Sequence, residues 1–328
     1  MAETLVYPLG GCGEVGLNST LFVHDGDALL VDCGALLSVP QAPGIDKAVI
    51  GFRVLSQYKL RGVALTHGHE DHIGGLPALL SQFDIPVVGT AITLDFVRSR
   101  LERAPAAEAK RQKPRMHEIK FGERMKFGPF EVEWIRMTHS LPGNGALCIA
   151  PPSGRIIHTG DFSIDPTPVH GEPSDEARLR ELGELGGDLM LADSTNSERD
   201  GRTVSESQIA EALEQIVGEA TGRIYMTLFA SHLHRIKSAV RAAQKHGRRV
   251  ALLGRSLERT WRMAIQHGII KPDPSLLIAP EYLKTAPRDR VLVLCTGSQG
   301  EWQGGLHKVA HGTESKFNAR PGDELVMR

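Results

Sequence analysis

The sequence predicts a mixed α/β sandwich over residues 1–205 and a second, parallel α/β domain over 206–328. Three observations carry this expectation. In the first part, short apolar runs are joined by hairpin-type turns as well as by helical stretches. From about residue 205, strands and helices alternate regularly, as a parallel sheet requires. Within the first part, a cluster of histidines directly follows an apolar strand.

In chain order, residues 20–24 and 28–32 are apolar runs split by Asp25-Gly26-Asp27, a hairpin signal. Residues 62–66 read as a buried strand, followed by the histidine-rich turn and by helical spacing over 73–83. Residues 86–89 are a short strand and 93–103 a helix. Over 130–134 apolar and acidic residues alternate, which suits a strand with one wet face. Residues 155–158 form a strand after the Pro151-Pro152-Ser153-Gly154 turn. Past Asp193-Ser194-Thr195-Asn196 the texture changes. Residues 205–219 are an amphipathic helix whose Ser205-Glu206-Ser207-Gln208 opening has the form of a capping box. Strands at 223–228, 249–253 and 290–295 then alternate with helices at 233–246 and up to about 267.

Composition excludes several classes. With 41% hydrophobic and 23% charged residues, the chain can bury a core. It has no apolar run of the roughly 18 residues that span a bilayer. Its opening Met1-Ala2-Glu3-Thr4-Leu5 lacks the basic and apolar regions of a secretion signal. Cys12, Cys33, Cys148 and Cys295 show no paired spacing, against a disulfide framework and for a reducing cytoplasm. The formal charge of −1 gives no hint of a polyanion partner.

The chemistry is concentrated in His67-Gly68-His69-Glu70-Asp71-His72. Three imidazoles and a carboxylate within six residues can converge on metal from one turn. Imidazole nitrogen and carboxylate oxygen suit zinc, with manganese as an alternative. His139 and Asp161 follow strands and are candidates to complete the set. A lone histidine is more often a satisfied polar core residue, but the neighbouring cluster reverses those odds for His139.

This pattern resembles the metallo-β-lactamase superfamily. Further segments resemble its β-CASP ribonucleases of the ribonuclease J type. They include Gly10-Gly11-Cys12-Gly13-Glu14-Val15-Gly16, His158-Thr159-Gly160-Asp161-Phe162, Asp193-Ser194-Thr195-Asn196, Gly254-Arg255-Ser256 and Cys295-Thr296-Gly297-Ser298-Gln299-Gly300. The resemblance implies an αββα metallo-β-lactamase sandwich with an inserted β-CASP domain. It implies that His67, His69 and His139 hold one metal, that Asp71 and His72 hold a second, and that Asp161 bridges them. It makes Asp32 a carboxylate that orients ligands, and Asp71 and Asp193 catalytic residues, with Asp193 supporting a general-acid histidine. The implied reaction is RNA phosphodiester hydrolysis by a metal-bound hydroxide in RNA processing and decay, with two Zn2+ expected and Mn2+ or Mg2+ as alternatives.

The family pattern also calls for two later histidines, a general acid and the last ligand of the second metal. His307 and His311 do not match them. The sandwich and the second metal site are therefore expected to be incomplete, as in an N-terminal portion of a longer enzyme from a truncated or split gene. The full-length family is expected to form homo-oligomers.

Residues 221–264 hold ten Lys and Arg against the single acid Glu258, a local charge of +9. Clustered positive charge suits a nucleic-acid backbone, so RNA is the expected partner. Ser231, His234 and Arg235 at one helix start, Arg255 at another and Ser298 in a glycine turn are candidate phosphate contacts. The competing expectations are a non-catalytic RNA- or partner-binding subunit and a small-molecule metallo-hydrolase of the same superfamily.

Overall fold

A computed structural model describes residues 2–37, 45, 47–105, 108, 114–298, 300–301, 304–313 and 319–327. Gln299, within the Cys295–Gly300 motif, and Arg328, the last residue of the expected second domain, lie outside the described residues. The chain divides into two compact units. One comprises Met1–His139, Gly143–Ile164 and Pro173–Gly201; the other comprises Ser140–Pro142, Asp165–Glu172 and Arg202–Arg328.

The first unit contains β1 (Thr4–Gly10), β2 (Ser19–His24), β3 (Asp27–Val31), β4 (Ala35–Leu37), β5 (Lys47–Val49) and β6 (Lys59–Ala64). These are followed by α1 (Glu70–Ile73), α2 (Leu76–Leu80), β7 (Val87–Gly89), α3 (Ala91–Glu102) and β8 (Met116–Glu118). The unit ends with β9 (Arg124–Phe127), β10 (Phe130–Arg136), β11 (Gly145–Ala150), β12 (Ile156–His158), α4 (Glu176–Glu184) and β13 (Leu189–Leu191). One sheet has the order β1-β2-β3-β6-β7-β8 and the other β13-β12-β11-β10-β9.

Strand periodicity decides which residues meet. Phe22, Leu29 and Val31 face Phe130, Val132, Trp134 and Leu147 in one cluster between the sheets. Their neighbours Leu21, Leu30 and Val63 join Ile73, Leu76, Leu79, Leu94 and Val97 of the helices in another. On the far side of the second sheet, Ile135, Ala146 and Cys148 pack with Leu182 of α4. The result is a helix–sheet–sheet–helix sandwich. Burying each large apolar side chain contributes about 1.5–3 kcal/mol.

Three expectations need correction here. The predicted helix at 73–83 is reduced to α2, and the histidine turn itself supplies the short α1; between them the Gly75 N–H turns to donate to Cys33 O at 2.8 Å. The wet face of β10 is covered: Glu133 is only 6% exposed and takes a two-armed bond from Arg178, at 2.7 and 2.8 Å. Burial opposes charge there, yet Arg178 and then Arg124 hold its carboxyl below the usual glutamate range.

The second unit contains α5 (Glu206–Glu219), β14 (Ile224–Thr227), α6 (Leu233–Lys245), β15 (Arg249–Leu253), α7 (Arg255–Gln266), β16 (Val291–Cys295), α8 (Gly305–Ala310) and β17 (Glu324–Val326). Its parallel sheet has the order β15-β16-β14-β17. The third correction concerns the capping box on α5. Ser205 Oγ accepts from the Ser207 N–H, while Asp165 accepts from Ser205 Oγ at 2.6 Å and from the Glu206 N–H at 2.9 Å. A residue forty positions away thus satisfies the first N–H of the helix and fixes the capping hydroxyl.

Candidate metal centre

Strand ends of the first unit deliver the ligand-type side chains to one place. His67 and His69 follow β6, Asp71 and His72 lie on α1, His139 follows β10 and Asp161 follows β12. The end of β6 is pinned from the second sheet: Trp134 Nε1–H donates to Leu65 O at 2.9 Å, and the Gly145 N–H to Thr66 O at 3.0 Å.

His67 Nε2 lies 2.9 Å from His69 Nδ1, which lies 3.2 Å from His139 Nε2. The two oxygens of Asp161 part company: Oδ1 is 3.2 Å from His72 Nε2 and Oδ2 is 3.9 Å from His139 Nε2. Asp71 Oδ2 is 3.7 Å from His72 Nε2. Two groups of ligand atoms therefore converge within 4.8 Å, His67 with His69 and His139, and His67 with His72 and Asp161.

Asp32 sits behind them, 1% exposed. It accepts from the Thr66 N–H at 2.8 Å, from Thr66 Oγ1–H at 2.7 Å and from His72 Nδ1–H at 2.8 Å. Thr66 Oγ1 in turn lies 3.1 Å from His67 Nδ1. With its own proton given to Asp32, that oxygen accepts from His67 Nδ1–H. Both His67 and His72 are thereby held with Nε2 toward the cluster.

Burial, and then the neighbouring histidines, hold His67 well below the usual histidine range; burial and His139 do the same for His69. For His72 burial pulls down, but Asp32 and Asp161 carry it well above. Burial raises Asp71, whereas the His72 contact overcomes burial and lowers Asp161. Two ring nitrogens, His67 Nε2 and His139 Nε2, converge on the single His69 Nδ1, which can carry at most one proton between them. The same donor set fits a divalent cation well.

The sequence-derived candidates outside this cluster are placed as follows. Asp193 accepts from the Phe162 N–H at 3.3 Å and from the Thr195 N–H at 2.7 Å, beside the segment that carries Asp161. In the second unit, Arg235 is paired with Glu206 at 3.0 Å, and its N–H is capped by His232 Nδ1. His234 is buried and Ser231 half-buried at the same helix start. Arg255 is exposed at the start of α7, and the buried Ser298 Oγ has no hydrogen-bond partner among the described residues. His307 and His311 stack on each other at 4.1 Å in the second unit. Sequence reasoning missed Asn18, whose Nδ2 lies 3.2 Å from Asp71 Oδ2 and 3.0 Å from His72 Nε2. The available signal was its place just after the glycine-rich run 10–16.

Residues 12–213 match the family description Metallo-beta-lactamase superfamily. The chain belongs to the metallo-β-lactamase superfamily. Members of this superfamily bind metal, and the cluster of this member has the residues to do so. Residues 221–328 match the description Ribonuclease J, beta-CASP domain, so the second unit of this superfamily member is a β-CASP domain. Among curated relatives, Ribonuclease J of Thermus thermophilus is 39% identical over 333 residues, covering 98% of this chain and 57% of the relative. Ribonuclease J of Mycolicibacterium smegmatis is 36% identical, covering 98% and 57%. Ribonuclease J of Helicobacter pylori is 37% identical, covering 99% and 47%. The chain thus spans about half the length of the curated relatives it matches. A solved structure, a protein of unknown function from Enterococcus faecalis V583, shares the fold with a TM-score of 0.68 at 16% identity, covering 100% of this chain and 88% of that one.

Proposed function

We propose that the chain carries the metal-binding and RNA-binding machinery of a ribonuclease that hydrolyses phosphodiester bonds in RNA processing and decay. The carrying observation is the division of Asp161, with one oxygen toward His139 and the other toward His72. That division supports two cation positions: His67, His69 and His139 would hold one, Asp71 and His72 the other, with Asp161 between them. Zinc fits the imidazole-rich set best, with Mn2+ or Mg2+ as alternatives. When bound, two such cations neutralise charge on the non-bridging oxygens of a phosphodiester and lower the pKa of attacking water. The protein's own part is to hold neutral imidazoles and ionised carboxylates in place. Asp32 does so through Thr66 and His72, and Asp193 through the backbone next to Asp161.

RNA contacts are proposed at Arg255 and Ser298, with Ser231, His234 and Arg235 at the start of α6. Among the described residues no helix is long and apolar enough to cross a membrane. Free thiols at all four cysteines favour the cytoplasm as the compartment. A non-catalytic RNA- or partner-binding subunit is the second reading. Exposure of Leu189 and Met190 on the edge strand β13, and of Leu185 just before it, favours it.

The test is cleavage of 5′-labelled single-stranded RNA with Zn2+ or Mn2+, against chelator and against Asp161→Asn. Metal-dependent products lost in the variant support the enzyme reading, and their sizes separate end-wise from internal cutting. RNA binding without cleavage favours the subunit reading, and turnover of a lactone or thioester panel alone favours a small-molecule hydrolase.

A further inference from the structure

The glycine-rich run between β1 and β2 has no part in the site as described so far. Its backbone leads to Asn18 through Gly11, at φ +81°, and Leu17, at φ +57°, a left-handed conformation that side chains rarely adopt. The Asn18 N–H donates to Asp71 O at 3.0 Å, and Asn18 O accepts from the Gly34 N–H at 3.0 Å. The Cys33 N–H donates to His72 O at 2.8 Å. Two loops therefore clamp the backbone of Asp71 and His72. The packing leaves no slack: a Cβ on Gly34 would lie 1.7 Å from Asp71 O, and one on Gly11 would lie 2.4 Å from Asn18 Oδ1.

The side chain completes the arrangement. Asn18 Nδ2–H donates to Asp71 Oδ2, and the same amide faces His72 Nε2. His72 gives its Nδ1 proton to Asp32, so the Nε2 facing Asn18 is its ligating edge. A neutral donor suits this place, because Asp161 also reaches His72 Nε2 and a further carboxylate would crowd like charges.

We propose that Asn18 is a positioning residue for the second cation position, and that the run from Gly10 to Gly16 serves to place it there. Its amide holds the Asp71 carboxylate toward His72 and Asp161. This inference rests on the two-cation reading above. Asn18 meets His72 at Nε2 whereas Asp32 meets it at Nδ1, and the two come from different loops.

The experiment is zinc titration by calorimetry, with metal content measured after dialysis, on the parent, Asn18→Ala and Asn18→Leu. Both variants keep the backbone bonds to Asp71 and Gly34, and leucine also keeps the volume. Thermal unfolding of the metal-free proteins checks the fold. We expect two equivalents in the parent. In both variants the weaker equivalent should loosen by about 10–100-fold, the range for outer partners of metal ligands. The tighter one, on His67, His69 and His139, should stay at its parent affinity. Parent-like binding of both equivalents in both variants overturns the inference, as does equal loosening of both equivalents or loss of cooperative unfolding in both variants. A parent that takes up one equivalent overturns this inference and leaves a metal site standing. A parent that takes up none overturns the two-cation reading itself.

Discussion

The metal cluster of the first unit and the basic stretch of the second are both dense in one kind of polar residue. They differ in how those residues are satisfied. In the cluster, His67, His69 and His139 turn ring nitrogens toward one another, and Asp161 divides its oxygens between two imidazoles. In the basic stretch much of the charge is consumed by the protein. Arg248 is 4% exposed and donates to Val217 O, Gly222 O and Ala220 O at the end of α5. Arg223 donates to Leu283 O at 2.6 Å, and Arg235 pairs with Glu206. Arg223, Arg235 and Arg248 are thus structural and Lys245 pairs with Glu214, whereas Arg241, Arg249, Arg255 and Arg262 are exposed. A cluster of ligand-type groups that turn toward each other has the donor set of a cation site. A cluster of charges that turn to carbonyls and carboxylates is already satisfied.

The comparison breaks most readily at His67. His67→Ala should weaken metal uptake at least about a hundredfold, the upper end for outer partners of ligands, since a direct ligand costs no less. Metal content after dialysis checks this, and full retention would mean that the facing imidazoles are a packing arrangement. Arg248→Met comes next. It strips the donors from three carbonyls at the end of α5 and should cost about 3 kcal/mol in urea unfolding, since each orphaned buried acceptor costs about 1–3 kcal/mol. Unchanged stability with weakened RNA binding would move Arg248 from the structural group to the available one.

Glu133→Gln tests a satisfied pair within the first unit. We expect a loss of about 1–3 kcal/mol near pH 7, as for hydrogen bonds to charged groups. Because the folded carboxyl lies below the ordinary 4.5, its contribution is present above that value and lost as pH falls through the folded pKa. Melting temperatures of parent and variant should therefore converge as the pH falls below 4.5, and a gap that does not narrow at all on acidification would contradict the pairing. The smallest effect is on binding. Arg255→Gln should reduce the salt dependence of single-stranded RNA affinity by about 0.7 in log–log slope, and Arg235→Gln should leave it unchanged. Equal slopes in the two variants would erase the distinction between free and consumed cations.

Much of this contrast was legible in the sequence on one side only. Spacing made the His67–His72 run a candidate metal site, because ligand-type residues packed into one turn have few other uses. The continuous apolar run at 62–66 was legible as a buried strand, but the alternation at 130–134 did not show that its acidic face is covered. The breadth of the basic stretch was legible too, but the availability of its charges was not. Nothing local distinguishes Arg248, turned to three carbonyls, from Arg249 next to it, which is exposed.

By itself, the sequence determined many of the elements and the identity of the candidate ligands, since these follow from residue type and short-range periodicity. Tertiary structure decided the rest. It brought Asp32, Asn18, His139 and Asp161 to the histidine turn, put Asp165 on the start of α5 and covered Glu133 with Arg178. Each is a contact between residues tens of positions apart, set by how strands and loops pack. Local propensity carries no information about such contacts, whereas close packing leaves these side chains only one place to go.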